Sequence, residues 1–215
     1  MSDETPDHYF TAQPASPDER RTLSVVLDSQ PYEVETAGGI FSPGRIDLGT
    51  SVLLRTVSDP PTGDVLDLGC GWGPITLTMA LQNRQATVWG VDVNERALDL
   101  LRRNAEKLGL SNVRAVRPEE VPDDVRLAAI WSNPPIRVGK DELHSMLDTW
   151  LPRLLPGSSA YLVVQRNLGA DSLQGWMASR YGAQGDFRSA QGPFTATVTK
   201  LASAKGFRVI EVIRD

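Results

Sequence analysis

Short apolar runs alternate along this chain with longer segments in which apolar residues recur every three or four positions. The short runs are typical of buried strands, and the three-to-four spacing is typical of amphipathic helices. Helices are predicted from Asn94 to Leu108, from Asp141 to just before Pro156, and after a cap at Asp171. Strands are predicted over residues 65–68, 87–92, 113–116, 127–131 and 160–165, followed by a hairpin of residues 195–201 and 207–213. The alternation predicts an α/β fold with a doubly wound, mostly parallel sheet of seven strands.

The N-terminal part has a different pattern. Residues 1–20 are polar and contain three prolines, which predicts an extended tail. Residues 22–27 and 32–36 predict a strand hairpin around a turn at Ser29-Gln30-Pro31. We therefore expect a single domain over residues 21–215, with the hairpin and a helical lead-in over 21–58 and the core over 64–215.

The first core strand carries Asp67 near its end and runs into a turn with three alternating glycines, Gly69, Gly71 and Gly73. Glycines let a turn bend sharply and let a ligand approach the backbone, so the turn indicates a cofactor cradle. A nicotinamide dinucleotide fingerprint has the spacing G-x-G-x-x-G, and here the third glycine comes one residue early. Asp67 would also repel a pyrophosphate. The residues favour a cationic cofactor such as S-adenosylmethionine, which carries an ammonium and a sulfonium.

The second predicted strand also ends in an acid, Asp92. An acid at this position can accept hydrogen bonds from both hydroxyls of a ribose. That role suits S-adenosylmethionine and a nicotinamide dinucleotide equally. Asp92 could instead serve only to begin the next helix.

A stiff turn, Asn133-Pro134-Pro135, follows the strand over residues 127–131. Proline fixes φ and removes N–H donors, so the carbonyl groups of this turn are held rigidly. An exocyclic amine on a base is a poor nucleophile because its lone pair is delocalised into the ring. If the Asn133 side-chain oxygen and the Pro134 carbonyl accept its two hydrogens, the lone pair can be turned toward a methyl donor.

In their order and spacing, these three motifs resemble the class I S-adenosylmethionine-dependent methyltransferases that act on planar nitrogen. Upstream segments extend the resemblance to the catalytic half of the small-subunit ribosomal RNA guanine-N2 methyltransferases; they are His8-Tyr9-Phe10-Thr11, Gly39-Ile40-Phe41-Ser42 and Asp47-Leu48-Gly49-Thr50. The resemblance covers nearly the whole chain. It implies methyl transfer to guanine N2 in 16S ribosomal RNA, with the RNA or the small ribosomal subunit as partner.

The resemblance also implies roles for individual residues. Asn133, Pro134, Pro135 and Ile136 would form the catalytic turn, with Phe41 near the base pocket. The cofactor contacts implied are Asp67, Gly69, Cys70, Gly71, Gly73, Asp92 and Val93, with Asp47 and Thr50 approaching from the preceding helix.

Two positions depart from the family pattern. Ile136 stands where the family usually has an aromatic residue that stacks on the target base, a contact worth about 1–3 kcal/mol. After the third strand, where an acid often accepts a hydrogen bond from the adenine amine, Arg117-Pro118 precede Glu119. We therefore assign the adenine contact to Glu119 or to the backbone.

Composition narrows the setting. The chain has 215 residues, a net charge of −5 and one cysteine, so it can form a core without an internal disulfide, which suits the cytoplasm. No apolar run approaches the length of a membrane span, and no secretory signal is evident. Residues 1–20 carry −4 of the net charge, and the part from Asn133 onward is mildly positive. Arg137 and Lys140 are the candidates for phosphate contacts.

Other functions remain open alternatives. The methyl acceptor could instead be a protein glutamine or a small-molecule amine, since the methyltransferases that act on amides share the Asn-Pro-Pro turn. A module that binds the cofactor without turnover is a further alternative, motivated by Ile136. The chain has no G-K-[ST] phosphate loop and no G-x-S-x-G nucleophile elbow, and two histidines with one cysteine do not make a usual zinc site.

Overall fold

A computed structural model describes residues 19–185 and 187–215, except for the side chain of Arg137. The tail predicted over residues 1–20 therefore lies almost entirely outside the described residues, including His8, Tyr9 and Phe10. The central sheet has seven strands: β3 (Asp64–Leu68), β4 (Thr87–Val91), β5 (Val113–Val116), β6 (Leu127–Ser132), β7 (Leu154–Gln165), β10 (Ala196–Ala204) and β11 (Phe207–Arg214).

The strand order in this sheet is β10-β11-β7-β6-β3-β4-β5. Strands β3 to β7 run parallel to one another, and β11 runs antiparallel to both of its neighbours. The order reverses at β3, which has β4 on one side and β6 on the other. In open α/β sheets, ligands bind outside the carboxyl ends of the strands at such a switch point.

Helices cover both faces of the sheet, as the doubly wound prediction requires. They are α1 (Leu48–Thr56), α2 (Pro74–Gln82), α3 (Glu95–Lys107), α4 (Lys140–Trp150) and α5 (Ala170–Tyr181). Side chains alternate across each strand, so Val65 packs with α1, α2 and α3 on one face, whereas Leu66 packs with α4 and α5 on the other. The two faces form separate apolar cores.

An N-terminal hairpin of β1 (Arg21–Leu27) and β2 (Gln30–Thr36) forms a separate two-stranded sheet beside α3. The buried side chain of Asn104 in α3 holds it, because its Oδ1 accepts from the Glu35 N–H at 2.6 Å and its Nδ2 donates to the Glu35 carbonyl at 3.0 Å. The same Nδ2 donates to the Trp72 carbonyl at 3.2 Å. One amide therefore ties the hairpin to the glycine turn.

Several predicted boundaries are wrong. The hairpin turns at Asp28-Ser29, both at positive φ, and Gln30 already pairs with Leu27, because two left-handed residues suffice to reverse the chain. Helix α5 begins after Gly169, and Asp171 lies in its first turn without capping it. A short pair, β8 (Arg188–Ser189) and β9 (Gly192–Pro193), was not anticipated.

Candidate active site

The glycine turn between β3 and α2 places three backbone units in the left-handed region, with φ of 80° at Gly69, 55° at Gly71 and 104° at Gly73. A Cβ on Gly71 would meet nothing within 4 Å, so the space above this residue is open to a ligand. A Cβ on Gly73 would lie 2.4 Å from Leu101 Cδ1, because α3 packs closely on the start of α2. Gly71 therefore leaves room for a ligand, whereas Gly73 allows the two helices to pack closely.

Asp67 is fully buried beneath this turn. Its Oδ2 accepts hydrogen bonds from the Thr76 N–H at 2.9 Å and from the Thr76 hydroxyl at 2.6 Å, whereas no described residue donates to its Oδ1. Burial raises the pKa of the Asp67 carboxyl from 3.8 to about 7, partly offset by the Thr76 bonds. The structure thus places Asp67 behind the cavity wall, with one carboxyl oxygen in need of a donor.

Asp92 follows β4 and holds two backbone segments together. Its carboxylate accepts from the Gly71 N–H at 2.9 Å and from the Asn94 N–H at 2.9 Å. Burial raises the pKa of Asp92, and these backbone bonds partly offset the shift. Because Asp92 fixes Gly71 and the start of α3, it shapes the turn, and its role at a ribose stays a prediction.

A cavity of about 510 Å³ opens at the switch point of the sheet. It brings together ten of the predicted site residues: Phe41, Asp47, Thr50, Gly69, Cys70, Gly71, Asn133, Pro134, Pro135 and Ile136. The cavity lining does not include the predicted residues Asp67, Gly73, Asp92, Val93, Glu119 and Lys140.

Val93 and Glu119 lie at the surface, outside this lining. Val93 is half exposed, and its carbonyl accepts a hydrogen bond from the Arg117 guanidinium at 3.4 Å. Arg117 also pairs with Glu119 at 2.6 Å and lowers the pKa of that exposed carboxyl. Arg117 therefore links Val93, which follows β4, to Glu119, which follows β5. The adenine contact of Glu119 stays a prediction.

Asn133 is the polar centre of the cavity. Its Nδ2 donates to Asp47 Oδ2 at 3.0 Å and to Thr50 Oγ1 at 3.1 Å. No described residue donates to its Oδ1, so the amide oxygen keeps its acceptor capacity. This hydrogen-bonding network also fixes which end of the amide is nitrogen.

The two prolines shape the rest of the turn. Pro135 has φ −75° and ψ 77°, close to an inverse γ-turn, and the Pro134 carbonyl accepts from the Ile136 N–H at 2.9 Å. A carbonyl oxygen has two lone pairs, so Pro134 can accept one further hydrogen bond. The turn continues as a short 3₁₀ helix over Ile136–Val138.

The wall beyond Asn133 contains residues that the sequence did not single out: Val163, Gln165, Leu168 and Phe207. Val163 and Gln165 share a face of β7 because side chains alternate along a strand. Phe207 in the neighbouring strand β11 pairs with Gln165. Their sequence signal was weak, since only the observed order β6-β7-β11 brings these strand ends beside Asn133.

The remaining predicted residues show no catalytic arrangement. Cys70 is buried, and burial together with the nearby Asp92 raises the pKa of its thiol, which disfavours a nucleophilic thiolate. Lys140 is exposed at the start of α4. The Arg137 side chain lies outside the described structure. Among the described residues, no helix is long and apolar enough to cross a membrane.

The cavity fits a cationic cofactor that contacts the glycine turn. The open space over Gly71 admits a ligand to the backbone, and the spare Oδ1 of buried Asp67 favours positive charge nearby. The adjoining wall around Asn133 offers acceptors to an amine. The arrangement therefore provides neighbouring places for a cation and for a planar nitrogen.

Comparisons with known proteins agree with this geometry. The family model described as "Methyltransferase small domain" matches residues 31–191. The uncharacterized protein YbxB of Bacillus subtilis (strain 168) is 32% identical over 170 residues, which are 77% of this chain and 85% of YbxB. The ribosomal RNA small subunit methyltransferase C of Stutzerimonas stutzeri (strain A1501) is 33% identical over 134 residues, which are 62% of this chain and 40% of that protein.

A solved structure extends the likeness in fold. The T. thermophilus 16S rRNA N2 G1207 methyltransferase (RsmC), in complex with AdoMet and guanosine, has a TM-score of 0.75 to this structure at 23% identity. The match covers 94% of this chain and 52% of that one. The chain thus spans about half or less of each named ribosomal RNA methyltransferase.

Proposed function

The chain belongs to the methyltransferase small domain family, and on that premise we propose that it methylates the exocyclic N2 amine of a guanine in small-subunit ribosomal RNA. S-adenosylmethionine is the methyl donor. The observation that carries the proposal is the Asn133 amide, whose oxygen is free to accept and which shares one cavity with the glycine turn. The named relatives of known substrate support ribosomal RNA as the acceptor.

The residues of the glycine turn would hold the cofactor at their end of the cavity. When bound, S-adenosylmethionine supplies an electrophilic methyl group on a positively charged sulfur. Gly69 and Gly71 would let it approach the backbone, and Asp67 lies buried behind the cavity wall with one carboxyl oxygen, Oδ1, that no described residue satisfies. Asp92 and Glu119 serve the ribose and the adenine in this proposal, together with Val93.

Asn133 and Pro134 hold the amine that is to be methylated. The Asn133 Oδ1 and the second lone pair of the Pro134 carbonyl accept its two hydrogens and turn the nitrogen lone pair toward the methyl donor. This chemistry needs little general-base help, because the amine nitrogen can release its proton after the transfer. The prolines keep both acceptors rigid, so little reorganisation accompanies the reaction.

Aromatic rings elsewhere in the cavity compensate for Ile136. Ile136 covers a base face without a π contact, whereas Phe41 and Phe207 line the same cavity from the lead-in loop and from β11. Gln165, beside Phe207, has an amide that matches the donor and acceptor groups on the edge of a guanine. These three residues form the base pocket in our proposal.

The larger RNA contacts the surface around the cavity. Arg137 and Lys140, just beyond the catalytic turn, bind phosphates in this proposal, and residues 21–215 act as one catalytic unit in the cytoplasm. Phosphate contacts position an RNA without reading its sequence, so the base pocket selects the guanine.

Mass spectrometry of nucleosides in ribosomal RNA from cells with and without the protein tests this function. We expect the N2-methylguanosine content of 16S RNA to fall when the protein is absent, and an unchanged content would contradict the proposal. A parallel reaction with radiolabelled S-adenosylmethionine locates the methyl acceptor. Label found only in the protein fraction would indicate a protein acceptor, and tight cofactor binding without transfer to any acceptor would indicate a binding module; either result contradicts the proposal.

A further inference from the structure

We propose that Asp47 and Thr50 are positioning residues that fix the orientation of the Asn133 amide. This inference rests on the proposed function and gives these residues a task distinct from the cofactor contact that the family resemblance implies. Both side chains accept from Asn133 Nδ2, and both lie on the cavity wall.

Asp47 is held firmly at the start of α1. Its Oδ2 caps the helix by accepting from the Gly49 N–H at 2.7 Å and from the Thr50 N–H at 3.4 Å. A Cβ on Gly49 would lie 2.8 Å from the Phe207 ring, so α1 begins in close contact with β11. The acceptor that faces Asn133 is therefore anchored by the helix and by the sheet.

The chemistry of the acceptors decides the orientation of the amide. An ionised carboxylate only accepts hydrogen bonds, so Asp47 stabilises the amide solely with Nδ2 directed toward it. The opposite orientation would set the amide oxygen of Asn133 against a negative charge. It would also present an N–H donor to an amine that must itself donate. Asp47 and Thr50 thus select the rotamer in which Oδ1 faces the substrate.

Matched substitutions separate this role from helix capping. Ser is as good an N-cap as Asp, so Asp47→Ser keeps the cap but is too short to reach Asn133. Asp47→Asn keeps both the cap and an oxygen at the same distance. In the same way, Thr50→Val removes the hydroxyl acceptor at nearly constant shape, and Thr50→Ser restores it.

Methyl-transfer kinetics with ribosomal RNA provide the first measurement. We expect Asp47→Ser to lower kcat about 10- to 100-fold, the range for a misplaced reacting group. Asp47→Asn should retain at least about tenfold more kcat than Asp47→Ser, and Thr50→Ser should exceed Thr50→Val. Equal kcat values for Asp47→Ser and the unsubstituted protein would overturn the inference.

Solution NMR of the full chain provides a second measurement that needs no substrate. The Asn133 side-chain N–H signals, identified by their loss in Asn133→Asp, should exchange with solvent at least about tenfold faster in Asp47→Ser than in Asp47→Asn. Equal exchange rates would refute the positioning role even if RNA were methylated. Slower exchange in Asp47→Asn together with no transfer to RNA by the unsubstituted protein would instead refute the proposed function alone.

Discussion

At the scale of single residues, the buried carboxyls of Asp67 in β3 and Asp92 after β4 have different roles. Asp92 has both oxygens satisfied by backbone N–H groups, so it holds the turn. Asp67 has one oxygen that no described residue satisfies and a pKa raised by burial to about 7. Protonation of Asp67 is therefore coupled to folding and to the charge of a ligand bound nearby.

Asp67→Asn should change how stability depends on pH. The folded pKa of about 7 lies above the ordinary value of 3.8, so between these values the folded state holds a proton that the unfolded state loses. Asp67 therefore lowers the stability of the protein as pH rises through this window and has no further effect above it. Between pH 5 and pH 8 the unsubstituted protein should lose roughly 2–3 kcal/mol relative to Asp67→Asn in urea unfolding. Parallel pH curves would show that the carboxyl titrates normally.

Asn133→Ala should separate catalysis from cofactor binding. The substitution removes the acceptor that orients the amine in the proposed function, so transfer should fall at least about 100-fold, whereas the glycine turn is untouched. Calorimetry should find the affinity for S-adenosylmethionine within a few-fold of the original. An active variant would refute the role of Asn133, and a variant without cofactor affinity would place Asn133 at the cofactor instead.

The polar residues of this site were predictable to different degrees. Asn133 and Gly71 were predictable as site residues because the proline turn, the glycine turn and Asp92 occur together after predicted strands, and both residues line the cavity. The buried position of Asp67 was not evident, since a strand pattern locates a residue along the chain and does not say which neighbour claims its carboxyl. Phe207 was not predictable as a site residue, because only the order of strands in the sheet places β11 near the site.

At the scale of elements, the glycine turn connects the end of β3 to α2 and packs against α3. Gly71 faces open space, and Gly73 lies against α3. The two glycines look alike in sequence, and only their surroundings distinguish the ligand side of the turn from the core side.

Alanine at each of these glycines should therefore have different effects. Gly73→Ala combines a left-handed φ with a contact of 2.4 Å to Leu101, so the free energy of unfolding should fall by about 2–4 kcal/mol. Gly71→Ala has the left-handed φ alone and should cost about 1–2 kcal/mol, while a new methyl group intrudes on the cofactor. Denaturant unfolding and cofactor titration of both variants test this, and the reverse ranking of stabilities would contradict it.

Elements with strong periodicity were the most predictable. The strand at 113–116 and the α3 segment match the prediction, because an apolar run and a well-capped amphipathic stretch are local signals. The pair β8 and β9 has two residues in each strand, too few to show alternation. The start of α5 depends on Gly169, whose left-handed conformation the local pattern did not reveal.

At the scale of the whole molecule, charge distribution bears on RNA binding. The chain is acidic, but residues 1–20 hold most of the excess negative charge, and the part that follows Asn133 is mildly positive. Counterion release from RNA depends on local cations more than on net charge. In the proposed function, the cations beside the Asn133-Pro134-Pro135 turn are therefore the ones that matter for RNA binding.

Lys140→Ala should weaken RNA binding in a salt-dependent way. Loss of one phosphate contact should lower the slope of log affinity against log salt by about one and affect all RNA sequences alike. Lys107→Ala, at the far end of α3, is the matched control and should leave the slope unchanged. Filter binding from 50 to 200 mM salt measures both, and equal slopes would place Lys140 outside the interface.

The most direct test of the central claim uses purified protein, isotopically labelled S-adenosylmethionine and small ribosomal subunits lacking this modification. After digestion to nucleosides, mass spectrometry should find the labelled methyl group as N2-methylguanosine, and Asn133→Ala should give at least about 100-fold less of it. Label in another nucleoside, or in ribosomal protein alone, would contradict the account of how this cavity selects its acceptor.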